Sequence, residues 1–195
     1  VSRLRELARS YLASEDPCRQ SGFGGGAERW RAEREPILEG VTKDGDFIDL
    51  GCANGFLLEC LRDWAAAKGI RLDPFGLDQS RELVVLARER LPESASHFFV
   101  GNSWSWTPPR GFDYVYSLAD AVPAPYLREH LQRLHASFVA PGGRLILGSY
   151  GSISRQLAPM DVAGALADAG FAPLGSTSAG AGPRVRFAWV EKHAP

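Results

Sequence analysis

With 195 residues, 45% of them hydrophobic and 23% charged, the chain has the composition of one globular domain large enough to bury a sizeable core. A net charge of −1 argues against the basic footprint of a nucleic-acid binder, and no apolar run is long enough to span a membrane. Cys18, Cys52 and Cys60 form no Cys-x-x-Cys pair, so neither a disulfide framework nor a zinc site is indicated and a reduced, cytoplasmic setting is expected.

The opening Val1-Ser2-Arg3-Leu4-Arg5-Glu6 lacks the apolar core of a signal peptide. Residues 1–12 put Leu4, Leu7, Ala8 and Tyr11 on one helical face with arginines opposite. The irregular stretch 14–26 follows, rich in turn formers and closing on Gly24-Gly25-Gly26; it reads either as a linker or as a lid anchored by Phe23. A second helix is expected over Ala27–Glu35, ended or kinked by Pro36.

From Asp46 strand and helix alternate. Phe47-Ile48-Asp49-Leu50 reads as a buried strand, the glycine-rich turn Gly51-Cys52-Ala53-Asn54-Gly55 follows, and a helix runs from there to about Lys68, stopped by Gly69. Gly51 and Gly55 carry no Cβ, so such a strand–turn–helix junction lets a ligand approach the backbone N–H groups closely. Strand two, Phe75–Asp78, ends on an acid, and Ser80 caps the next helix. Strand three is Phe98–Val100, ending at Gly101-Asn102-Ser103, and a loop with Trp104 and Trp106 leads to strand four, Phe112–Ser117. A helix over about Tyr126–Val139 and a Pro141-Gly142-Gly143 turn precede strand five, Arg144–Gly148. A helix over Pro159–Ala169 and two last strands, near Phe171–Leu174 and Val185–Val190, complete the chain, the last two joined by a Gly/Ser-rich loop.

Repeated β-α units with short apolar strands predict an α/β fold: a doubly wound, mostly parallel seven-stranded sheet, helices on both faces and a C-terminal antiparallel hairpin strand. Residues 1–40 are expected to form a helical segment covering the substrate, and residues 41–195 the catalytic core of a single domain. Ligands of such sheets bind at the carboxyl ends of the central strands, where an acid after strand two can hold both ribose hydroxyls. Asp78 stands 27 residues after Gly51, near that spacing. The glycine pattern disfavours a dinucleotide: Ala53 and Phe56 stand where Gly-x-Gly-x-x-Gly needs its second and third glycines.

Asp49-Leu50-Gly51-Cys52-Ala53-Asn54-Gly55 resembles motif I of the class I S-adenosylmethionine-dependent methyltransferases, with Ala53 replacing the second glycine. Asp78, Gly101-Asn102-Ser103, Phe112–Ser117 and the segment from Leu134 through Pro141-Gly142-Gly143 to Leu145 are similar to the family's later motifs, in order. The resemblance runs from about residue 36 to the C-terminus and implies a cofactor, S-adenosyl-L-methionine, with S-adenosyl-L-homocysteine as product. It implies that the turn of Gly51, Cys52, Ala53, Asn54 and Gly55 supports the methionine moiety, with Asp49 organising its ammonium. Asp78 would take the ribose hydroxyls, Gln79 would pack on the sugar or adenine, and Asn102 and Ser103 would read the adenine edge. Trp104 would cover the ring and Ser117 would line the methionine side.

The acceptor is less marked. After strand four, Ser117-Leu118-Ala119-Asp120-Ala121-Val122-Pro123 lacks the Asn/Asp-Pro-Pro-aromatic motif used by many relatives that methylate exocyclic or amide nitrogen, so that subclass is disfavoured. Asp120 is the best-placed candidate for a base or a substrate contact, although a turn aspartate has a simpler structural role. Tyr11, Arg19, Phe23 and Trp30 would supply a partly aromatic wall, with Arg19 able to meet a carboxylate. His130 and His135 read as packing or surface residues of a helix, and no metal-ligand cluster is recognisable. The leading expectation is methyl transfer to oxygen or nitrogen of a small molecule. An RNA or protein methyltransferase and a non-catalytic cofactor-binding module are the alternatives.

Overall fold

The computed structural model describes residues 2–152, 155–180 and 184–193, the side chains of residues 2–5 and 7 excepted. The expected apolar face through Leu4 and Leu7 therefore lies outside the described residues. Helices α1 (Ser2–Leu12), α2 (Pro17–Gln20) and α3 (Ala27–Arg34) lead through a 3₁₀ turn over Glu35–Gly40 into the sheet. Asp16 caps α2, accepting the backbone N–H groups of Cys18 and Arg19.

The sheet then alternates with helices: β1 (Gly45–Leu50), α4 (Phe56–Ala66), β2 (Leu72–Asp78), α5 (Arg81–Arg90), β3 (Phe98–Val100), β4 (Phe112–Leu118), α6 (Leu127–Ser137), β5 (Val139–Tyr150), α7 (Val162–Asp168), β6 (Gly175–Ala179) and β7 (Val185–Glu191). The seven strands lie in the order β3-β2-β1-β4-β5-β7-β6. Neighbours from β3 to β5 pair in parallel, and β7 runs antiparallel between β5 and β6. The strand order reverses between β1 and β4, which makes the carboxyl end of β1 the natural ligand crevice of the sheet.

Alternation along the strands divides the core. Phe47, Tyr114, Tyr116, Ile146 and Phe187 face α4, α5 and the N-terminal elements. Ile48, Leu77, Val115, Leu145 and Leu147 face α6 and α7. Two apolar layers on one sheet are why these strands read as nearly continuous apolar runs.

Against the sequence reading, α2 lies within the stretch read as irregular, α7 starts at Val162 behind its Asp161 cap rather than at Pro159, and three strand boundaries move. β2 begins at Leu72, so Pro74 lies inside it; β3 pairs only from Gly76 onward, and on that side Pro74 has no neighbour to which an N–H would be owed. β5 begins at Val139 and runs through the Pro-Gly-Gly segment, with a register shift against β4. A Cβ at Gly143 would lie 2.8 Å from the carbonyl oxygens of Phe112 and Asp113, so only glycine fits that passage. The penultimate strand is Gly175–Ala179 rather than 171–174: the segment read as a loop is the strand itself. Gly175 crosses the Trp189 ring so closely that a Cβ there would come within 2.4 Å, and small side chains let this edge strand lie over that indole.

Candidate functional site

At the carboxyl end of β1 the backbone turns sharply, with positive φ at Gly51 (107°), Ala53 (46°) and Gly55 (74°). The left-handed residues aim the turn back toward β2, where the N–H groups of Gly51 and Cys52 donate to the Leu77 carbonyl at 2.7 and 3.2 Å. The Asp78 carboxylate completes the clasp: one oxygen accepts the Ala53 N–H at 2.9 Å and the other the Ser80 N–H at 2.8 Å. Two accepted bonds leave lone pairs on both oxygens for a ligand. Burial nevertheless raises the Asp78 carboxyl above the usual carboxylate range.

A cavity of about 570 Å³ opens on this clasp, within the range of small-ligand sites. Its floor is Leu50, Gly51, Ala53, Leu77 and Asp78. One wall is Gln79 with the first turn of α5 and, beyond it, Gly101 and Ser103; the other is Leu118, Asp120 and Ala121 after β4. Ala8, Tyr11 and Ser21 of the N-terminal segment close over it. A Cβ at Gly51 would meet nothing within 4 Å, so this backbone faces open space that a ligand can use.

No family model and no curated protein sequence matches the chain. Solved structures do. The N-methyltransferase NodS from Bradyrhizobium japonicum, in complex with S-adenosyl-L-homocysteine, is 16% identical at a TM-score of 0.71, over 96% of this chain and 97% of that one. The 1,6-didemethyltoxoflavin-N1-methyltransferase of Burkholderia thailandensis, with bound 1,6-didemethyltoxoflavin and S-adenosylhomocysteine, is 15% identical at 0.68, over 97% and 86%. A SAM-dependent methyltransferase from Aquifex aeolicus is 18% identical at 0.59, over 97% of each chain. The fold is that of the class I methyltransferases.

Within this methyltransferase fold the residues singled out by sequence fall into three groups. Gly51, Ala53, Asp78, Gln79, Ser103, Asp120 and Tyr11 converge on the cavity. Asp49, Cys52, Asn54 and Ser117 are buried behind it, and Gly55 caps the start of α4. Asn102, Trp104, Arg19, Phe23 and Trp30 do not line it.

Within the buried group, Cys52 and Asn54 have clear structural work. Asp49 is sealed in β1, its carboxyl pushed up to about 7 by burial and then by the charge of Asp78. The Cys52 thiol packs where a Cβ at Gly76 would come within 2.6 Å of Sγ, so it faces the core rather than the ligand space. Asn54 has no exposed surface. Its Nδ2 donates to the Pro17 carbonyl at 3.2 Å and Gln20 Oε1 at 3.0 Å, while its Oδ1 accepts from Ser21 Oγ at 2.7 Å and the Phe56 N–H at 3.2 Å. Its own carbonyl accepts Arg90 Nε at 3.1 Å. Asn54 thus bolts α2 onto the turn between β1 and α4, a part that nothing in its local sequence announces.

The off-cavity group is equally engaged. Asn102 is exposed; its Nδ2 donates to Gln79 Oε1 at 3.1 Å, and its Oδ1 accepts the Trp104 N–H at 2.8 Å, which shapes the loop after β3. Trp104 stacks on His130 of α6 with centroids 5.8 Å apart. His130 is fully buried with both ring nitrogens unpartnered among the described residues, and burial, then Arg133, lowers it to about 4. Arg133 of the same helix donates to the carbonyls of Ser103 and Trp106 and was not foreseen; a long-range side-chain-to-backbone clamp leaves no motif. Phe23 and Trp30 lie inside the core, ring centroids 5.4 Å apart, with the Arg34 guanidinium over both at 4.3 and 4.4 Å. Arg19 is exposed on α2. Tyr11 lies across Gly22, where a Cβ would come within 2.4 Å of its hydroxyl. Burial, then Asp78 and Asp120, pushes that hydroxyl up, so it remains an O–H donor.

Among the described residues no three His, Cys, Asp or Glu side chains converge to hold a metal ion, and no helix is long and apolar enough to cross a membrane.

Proposed function

We propose that the chain is an S-adenosylmethionine-dependent methyltransferase that transfers the methyl group to oxygen or nitrogen of a small molecule. The observation that carries this reading is Asp78. It is an acid at the end of β2 that clasps the glycine turn and still offers lone pairs to a cavity of nucleoside-cofactor size. Two structural neighbours that were solved with S-adenosylhomocysteine support it.

The residues fit the cofactor. The open face of Gly51 and the turn behind it receive the methionine portion, and Asp49 lies below them in β1 to balance an ammonium. Asp78 takes the ribose hydroxyls, with Gln79 and Ser103 beside the base. When bound, S-adenosylmethionine supplies an electrophilic methyl on a sulfonium. The protein's own task is to hold the two reactants in line and to exclude water from the methyl. Residues 1–40 act as a cover over the acceptor, since Tyr11 and Ser21 close one side of the cavity. The chain works on a small acceptor in a reducing compartment such as the cytoplasm; the neighbour solved with 1,6-didemethyltoxoflavin supports the acceptor class, and the three free cysteines support the compartment.

S-adenosylhomocysteine at about 100 times its Kd should stabilise the protein by about 2.7 kcal/mol in thermal denaturation. Asp78→Ala should remove most of that gain. An undiminished shift in Asp78→Ala would defeat the ribose assignment, and no shift in the parent protein would defeat the cofactor.

A further inference from the structure

We infer that the acceptor is an amine, held in the cavity by the Asp120 carboxylate together with the hydroxyls of Tyr11 and Ser21; this deepens the methyltransferase reading and rests on it. Gln79, Leu83, Gly101 and Ser103 line the cavity together with Asp78, and so do Ala8, Tyr11 and Ser21 of the N-terminal segment and Leu118, Asp120 and Ala121 after β4.

The carboxylates differ in what they are free to do. Asp78 accepts two backbone N–H groups, and Glu82 accepts from Ser80 Oγ at 2.9 Å. Asp120 is exposed and makes no hydrogen bond or ion pair with any described residue. The Tyr11 hydroxyl stays protonated, pushed up by burial first and then by the charges of Asp78 and Asp120. Among the described residues the cation lining the cavity is Arg81, in the first turn of α5.

A free carboxylate among two hydroxyls and small apolar side chains attracts an ammonium and repels a carboxylate or phosphate. It is also suited to the chemistry of an amine. The acceptor ammonium gives one proton to Asp120, which passes it to water at the open mouth. The freed nitrogen lone pair forms the N–C bond while the C–S bond breaks and its electron pair stays on sulfur. Proton, methyl and charge then balance with no further reactant. Alanines at positions 8 and 121 leave room beside the nitrogen for a modest apolar substituent.

The test uses the protein saturated with S-adenosylhomocysteine and three probes of one skeleton: benzylammonium, benzyl alcohol and benzoate. Titration calorimetry should find benzylammonium the tightest, with Asp120→Asn weakening it at least fivefold while the stabilisation by S-adenosylhomocysteine is retained. In parallel, cofactor carrying a ¹³C-methyl is incubated with a metabolite extract split into amine, carboxylate and neutral pools. The label should appear as N–CH₃ in the amine pool, with a higher KM and the same cofactor affinity in Asp120→Asn. Tighter binding of benzoate, binding of none of the probes, an unchanged Asp120→Asn, or label absent from the amine pool would each overturn the inference. Failure of the underlying methyltransferase reading is separately visible, as absent stabilisation by S-adenosylhomocysteine in the parent protein.

Discussion

Asp49 should make both stability and cofactor affinity depend on pH, in opposite senses. Its carboxyl is sealed in β1 and pushed up to about 7, whereas an unfolded aspartate titrates near ~3.9. Because the folded value is the higher, the native state holds a proton that the unfolded chain has released between about pH 4 and pH 7. Stability therefore falls as pH rises through that window. Three units at about 1.36 kcal/mol each put the loss from this group at roughly 4 kcal/mol. Asp49→Asn keeps the shape without the charge, so it should exceed the parent at pH 8 by roughly 2–4 kcal/mol, the lower end allowing for an amide that finds no partner.

Binding runs the other way. If the ionised carboxylate balances the ammonium of S-adenosylhomocysteine, a proton must leave whenever the ligand binds below pH 7. The Kd should then rise about tenfold for each unit below 7 and level off above 8. Titration calorimetry from pH 5.5 to 8.5, in two buffers of different ionisation enthalpy, counts that proton directly. Close to one should be released near pH 6 in the parent protein. Asp78 is raised by burial as well, so the slope that survives in Asp49→Asn belongs to it. A parent protein whose Kd and proton count ignore pH, or an Asp49→Asn variant with the parent's profile, would refute the reasoning.

Asn54→Ala removes four side-chain hydrogen bonds whose partners on α2 are partly solvated, and should cost roughly 2–4 kcal/mol. Urea denaturation measures it, and proteolysis between α1 and α3 should quicken because α2 loses its anchor; a cost under about 1 kcal/mol would mean the bonds are not made. His130 has a folded pKa below its unfolded one, so its contribution is intact above about pH 6.5 and is lost as pH falls toward 4. His130→Phe keeps the stack on Trp104 and removes two unpartnered nitrogens, so it should match or exceed the parent at pH 7 and clearly exceed it at pH 4.5. Equal acid sensitivity of the two proteins in urea denaturation would exclude that role.

The parts legible in the sequence share a property: local chemistry decides them. The turn at Gly51–Gly55 needs positive φ, which glycine supplies cheaply, and Ser80 announces the start of α5 by capping it. Strand six was misplaced for a complementary reason. Gly175-Ser176-Thr177-Ser178-Ala179 has the composition of a loop, and it is a strand because Trp189, far along the chain, offers a surface that only small residues can cross. Aromatic residues misled in the same way. Phe23 in the glycine-rich segment and Trp30 in the helix after it look like a ligand wall, yet both are spent inside the core around the Arg34 guanidinium.

Sequence alone determined the alternation of strands and helices from β1 to β5, the glycine turn and the acid after β2, because each follows from backbone preference and apolar periodicity within a few residues. Only the tertiary structure decided which side chains face the ligand. Asn54 sits in the motif but turns away to hold α2, while Ala8 and Ser21 lie far from it and close the cavity. Direction of that kind depends on contacts between distant segments, such as the 33 residues separating Ser21 from Asn54, and these exist only once the sheet has brought the segments together.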